Sequence, residues 1–321
     1  MSILAVTALL GATVLPGDAY APAAPLAPFE LDALDGLLAE GRLEAAAAGL
    51  TARLVDQPDD DAARFGLGWT QVLQAFEHMT TGAYELGLGA PVNSNDLLDF
   101  AGIPLPPVPA HPDPALVAHA DLRALGARWL ADLDAALATL GAIDDPDVAL
   151  SLTPGRFAIR AVGDERIQLL SVLRQDTLMD DTASDERVRF DRTDVHWLTG
   201  YCHALSLPMR LLLSVDTAPM FDVAGHLLVA RPDTPSARFR EGESDGFFAS
   251  LTDSIALIHT ARLPVIDPEG MGAALAHAEA LFDASRAMWS AAAAETDDTD
   301  EWIPSVRQTG PLGTRIEADQ L

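Results

Sequence analysis

Apolar residues recur at helical spacing along most of the chain, and this periodicity predicts a bundle of helices. Leu31, Leu34, Leu37 and Leu38 share one face, and Gly41 closes that helix. Leu43, Ala46, Ala47, Leu50 and Leu54 line a second helix that stops before Pro58. A third starts at Asp59, Asp60 and Asp61, where carboxylates favour the helix dipole, and carries Phe65, Leu67, Trp69, Val72, Leu73 and Phe76. A long amphipathic helix is predicted from about 114 to 140, with Leu116, Leu122, Leu125, Trp129, Leu133 and Leu137 as its buried stripe. Further helices are expected over 96–100, 165–178, 191–213 (bent or broken at Pro208), 220–229, 247–263 and 269–294. Between 144 and 163 the helical pattern lapses. There Leu150-Ser151-Leu152, the turn Pro154-Gly155 and Phe157-Ala158-Ile159 predict a small hairpin. The expected fold class is therefore all-α, a multi-helix, hairpin- or repeat-like domain with one small β-hairpin near 150–160.

The chain divides into three stretches. Residues 1–21 read as an export leader: Ile3 to Val14 is a short apolar run, and Ala19-Tyr20-Ala21 suits a cleavage site. The first basic residue is Arg42 and Pro22 follows the cut, features that fit instead an apolar helix packed on the domain. Export places the protein in a Gram-negative periplasm or outside the cell, and a packed helix leaves it cytoplasmic. Residues 22–294 form a single mainly helical domain, interrupted by the proline-rich loop Ile103 to Pro114, which reads as a connector. Residues 295–321 are an acidic linker and a C-terminal tail expected to dock through Trp302, the other use of Trp302-Ile303-Pro304 being a linear motif for a partner.

Gly41, Ala46, Leu50, Pro58 and Leu67-Gly68 fall where the small and apolar signature positions of a tetratricopeptide repeat lie, and residues 30–70 resemble one such repeat. Gln71 and Thr80 depart from the pattern of a following repeat. The resemblance implies a protein-interaction surface, not chemistry. A helical hairpin of another fold would use the same small residues.

Charge and composition remove whole classes of function. The chain has no lysine, so its 20 basic residues are arginine against 48 carboxylates, a net charge of −28. P-loop NTPases, protein kinases, pyridoxal phosphate enzymes and Schiff-base aldolases all need a lysine. Nucleic acid is excluded as a partner on the same charge balance. No segment offers 18 uncharged apolar residues, so no membrane span is expected. Cys202, the single cysteine, excludes a disulfide framework and a cysteine-rich zinc site and reads as a buried thiol.

Asp191 to His203 is the densest polar and aromatic cluster. Asp191 and Asp194 suit a capping box. Val195, Leu198, Cys202 and Leu205 share one face, while His196, Thr199, Gly200 and His203 share the next. Gly200 leaves a notch between two imidazoles, a candidate ligand pocket lined by His196, Tyr201 and His203 with Asp194 at its start. The other reading is a set of buried polar side chains joining helices. No metal is expected, because His196 and His203 are ~10.5 Å apart along the axis and neither has a partner at i+3 or i+4. Cys202 and His203 point about a hundred degrees apart, so they make no nucleophile and base. His226 and His259 read as core residues and His119 and His277 as solvent-facing ones. No catalytic motif and no cofactor-binding motif stands out. The reading is a non-enzymatic protein-interaction or scaffold protein with a protein or peptide partner. Its alternative is a helical small-molecule-binding protein or enzyme built on His196, Tyr201 and His203.

Overall fold

The computed structural model describes residues 29–88, 110–162, 165–168, 185–234, 247–296 and 301–310. The architecture is all-α with a small β element. In chain order the described elements are α1 (Asp32–Ala39), α2 (Leu43–Asp56), α3 (Asp61–Glu85), α4 (His119–Leu140), β1 (Leu150–Leu152), β2 (Ala158–Val162), β3 (Glu165–Gln168) and β4 (Val188–Phe190). They continue with α5 (Arg192–Ser214), α6 (Ala218–Leu228), α7 (Phe247–Thr260) and α8 (Pro268–Ala294). The expected leader, the 96–100 helix and most of the proline-rich loop lie outside the described residues.

The α1–α2 turn needs its glycine. Gly41 has φ of 62°, in the left-handed region, and this lets the Arg42 N–H reach back 2.9 Å to the Leu37 carbonyl. The apolar faces of both helices then close onto α3, with Leu34, Leu38, Leu43, Ala46 and Leu50 all buried. Asp60 caps α3 by accepting from the Ala63 N–H at 2.9 Å.

α3 is the centre of the core, because its aromatics recur at helical spacing and meet three neighbours. Trp69 lies edge-on to Phe157 and to Phe190, each at 5.5 Å between ring centres. Two turns further, Phe76 meets Trp129 of α4 edge-on at 5.2 Å. α4 packs on α5, and α5 makes with α8 the most extensive helix–helix contact among the described residues.

Glu77 ties the sheet to this core. Its buried carboxylate accepts the Arg160 backbone N–H at 2.7 Å and the Arg160 Nε and Nη2 at 3.1 and 2.9 Å. Glu77→Ala strands that backbone N–H and is expected to lower stability by about 1–3 kcal/mol, read by urea denaturation. An unchanged midpoint would show that water replaces the carboxylate there.

The local pattern misplaces three elements. β1 does not pair with 157–159, because the single 3₁₀ turn Pro154–Arg156 leads the chain away. β1 pairs instead with β4, Leu150 opposite Phe190, and both strands alternate buried, half-buried, buried. β2 pairs with β3, so the expected helix over 165–178 begins as a strand, and residues 169–184 lie outside the described residues. α4 starts at His119, not near 114, because Val117 is held in extended pairing by hydrogen bonds with Arg231 and Asp233 of 2.8 and 2.7 Å. Leu116 is thereby exposed instead of joining the buried stripe. α5 is continuous through Pro208. No helix among the described residues is long and apolar enough to cross a membrane.

Candidate functional site

The candidate residues of the Asp191–His203 cluster lie on α5, and the structure disperses them among different neighbours. Asp191 caps the helix, its Oδ1 accepting from the Thr193 and Asp194 N–H groups at 2.8 and 3.4 Å. Asp194 returns the bond, with Oδ2 accepting from the Asp191 N–H at 2.9 Å, which completes a reciprocal capping box. Its second oxygen, Oδ1, accepts from the Ile303 N–H at 3.1 Å. Asp194 therefore anchors residues 301–310 as well as the helix end. Burial, with the charges of Asp191 and Glu301 added to it, pushes its carboxyl well above the usual range.

Trp302 completes this junction. Its backbone N–H donates to the Arg189 carbonyl at 3.2 Å, and its ring stacks on Phe190 at 5.7 Å and meets Trp197 at 5.7 Å. Buried Glu301 pairs with Arg189. One carboxylate oxygen each from Asp191, Glu295 and Glu301 lies within 4.8 Å of the others, a donor set of hard oxygens. Asp191 is engaged in capping α5 and Glu301 in the pair with Arg189.

The notch at Gly200 is covered. A Cβ there would meet the Ala284 Cβ at 3.4 Å and Leu281 at 3.7 Å, both on α8. Tyr201 stacks on Trp197 at 5.6 Å with ring planes 7° apart, and burial pushes its hydroxyl up to about 12. His196 is half-buried. Burial and the Arg192 charge lower its pKa. Cys202 is buried, and burial pushes its thiol up to about 12, far from a reactive thiolate.

His203 faces a residue that the sequence reading put in solvent. Its Nδ1 lies 2.9 Å from the Nδ1 of His277 on α8, with ring centres 5.0 Å apart. Burial lowers both pKa values, joined by the His277 charge for His203 and the Arg210 charge for His277, while Asp134 opposes the shift in both. The signal for His277 was its spacing from Ala274, Leu281, Ala284 and Met288, which places it on the inner face of α8. His119 is likewise engaged, its Nε2 2.7 Å from the Thr217 hydroxyl. His259, expected in the core, is exposed.

Beyond the histidines, a cavity of about 230 Å³ opens between α4, α5 and the start of α8. Asp134, Arg210, Ser214 and Asp267 supply its polar wall. Arg210 donates to Asp134 at 2.6 Å through Nη2, while its buried Nε has no partner among the described residues.

The outer side of α8 is different in character. Leu275 and Phe282, seven residues apart, are 62% and 63% exposed. The turn that enters α8 exposes Leu263, Val265 and Ile266, and Leu263 sits at a φ of 41°. Comparison with family models, curated proteins and solved structures finds no match.

Proposed function

We propose that the chain is a non-enzymatic helical scaffold that docks a basic protein or peptide partner along the outer face of α8. The observation that carries this reading is the exposure of Leu275 and Phe282 at heptad spacing on a helix whose inner face is packed on α5. Exposed positions Gly272, Leu275, Glu279, Phe282 and Arg286 follow the alternating three- and four-residue steps of a coiled-coil seam. Single exposed apolar residues are ordinary, but two large ones on the same face of a regular helix are a ready partner surface.

Charge supports the class of partner. The seam carries Glu279 and is edged by exposed Asp267, Glu269 and Asp283 on a chain of net charge −28, so a helix offering Lys or Arg beside its apolar residues is complementary. A second copy would set two such charges against each other. Residues 30–70, which carry the repeat-like pattern, bury Leu34, Leu38, Leu43, Ala46 and Leu50 in the core and leave Val55 isolated at the surface, so the docking surface is assigned to α8 instead. A ligand pocket at His196, Tyr201 and His203 has less support, because α8 covers Gly200, Tyr201 stacks on Trp197 and His203 faces His277.

A photo-crosslinking residue placed at Phe282 in the full chain, in its native host, tests the reading. Val55 on α2, 78% exposed, is the control position. Adducts from position 282 but not 55, carrying peptides rich in Arg, Lys and apolar residues, are the expected result. Adducts of twice the chain mass, equal labelling at both positions, or none at 282 would overturn it.

A further inference from the structure

The contact between α5 and α8 sets two metal-binding side chains face to face. The helices run antiparallel, with Gly200 against Ala284 near one end and Ser214 beside Gly270 near the other. His203 and His277 lie between these two contacts, so their Cα positions are fixed by packing on both sides. The Nδ1–Nδ1 separation is 2.9 Å. Two nitrogens on one tetrahedral ion, each about 2.0–2.1 Å from it, are about 3.3 Å apart. The present separation is therefore within a few tenths of an ångström of that of a chelate, and a turn of each ring about its side-chain bonds aims both lone pairs at one ion.

We propose that His203 and His277 bind one divalent late transition-metal ion of the zinc, nickel or copper class. Imidazole nitrogen is the donor that these ions prefer over magnesium or calcium. In the metal-free pair one Nδ1–H donates to the other Nδ1. On binding, that ring moves its proton to Nε2 and both Nδ1 lone pairs meet the ion, with no net change in protons. Both rings are half-buried, so the outer Nε2 atoms and water have access. Asp134 and Arg210, paired with each other at 2.6 Å, stand beside the two rings with opposing charges, and water fills the remaining positions. Placement of the two ligands on neighbouring rigid helices gives the site the preorganisation that a loop pair would lack. Metal would cross-link α5 to α8, the helix that bears the docking seam.

Calorimetric titration of the metal-free full chain with zinc chloride tests the site. One equivalent bound in the micromolar range is expected, with affinity lowered at least about tenfold in His203→Gln and in His277→Gln. Zinc binding that survives both substitutions, or none at millimolar zinc, would overturn the proposal. Copper(II) electron paramagnetic resonance on the unsubstituted chain covers the case in which a variant does not fold. Superhyperfine coupling to two imidazole nitrogens is expected there. A spectrum of oxygen ligands alone would place the ion on carboxylates and contradict the site.

Discussion

Replacing Phe190 by alanine is expected to lower stability by about 3–5 kcal/mol and to loosen the C-terminal segment in the same step. Phe190 is fully buried and belongs to two contacts at once. On its core side it meets Phe65 and Trp69 edge-on at 6.2 and 5.5 Å. On the other it is the platform on which Trp302 stacks. Alanine leaves a cavity between α3 and β4 that helices and a paired strand cannot collapse to fill, and it removes the surface that holds Trp302. Urea denaturation gives the stability. Limited proteolysis beyond residue 296 reports the tail, and faster cleavage there in the variant while it is still folded is expected. Full destabilisation without faster tail cleavage would show that the hydrogen bonds to Arg189 and Asp194 hold the segment alone.

Asp194→Ala is expected to cost about 2–4 kcal/mol, because it strands two N–H groups, the buried one of Asp191 and the half-buried one of Ile303. The pH dependence separates the charge from the hydrogen bonds. A carboxyl whose folded pKa is raised above 3.8 contributes stability below that value and loses it as pH rises through the folded pKa. Asp194→Asn keeps one acceptor and removes this titration. The Asn variant should therefore gain on the wild-type chain as pH rises from 4 towards neutrality. The half-buried histidines act in the opposite sense: their lowered pKa values withdraw stability as pH falls below 6.5. They are common to both proteins, so the difference curve reports Asp194. A flat difference would mean that the Asp194 carboxyl titrates as it does in the unfolded chain.

The helices were legible because burial on one side imposes a period that the chain displays locally. Leu34, Leu38, Leu43, Ala46 and Leu50 in α1 and α2, and Phe65, Trp69 and Phe76 in α3, all reach the core. The capping role of Asp191 and Asp194 was legible for a similar reason, since the box closes within three residues. Strand pairing was not, because Leu150-Ser151-Leu152 states which face is buried and not which strand lies beside it. Val188-Arg189-Phe190 has the same alternation and won over the nearer Phe157-Ala158-Ile159. The α7 pattern also misled: Ile255 and Ile258 resemble core positions yet are exposed, and His259 with them. His203 and His277 are 74 residues apart, so no spacing rule joins them. The alanines of α8 blurred which face is inner, and His277 was assigned to the wrong side.

The most direct test of the docking claim is the affinity of the crosslinked partner for the unsubstituted chain and for the Leu275→Glu, Phe282→Glu double variant, at low and at high salt. A loss of at least about 30-fold is expected in the variant, roughly 2 kcal/mol, with an unchanged melting temperature. Binding of the unsubstituted chain weakens as salt rises. Equal affinity for both chains, or binding indifferent to salt, would contradict a basic partner on the outer face of α8.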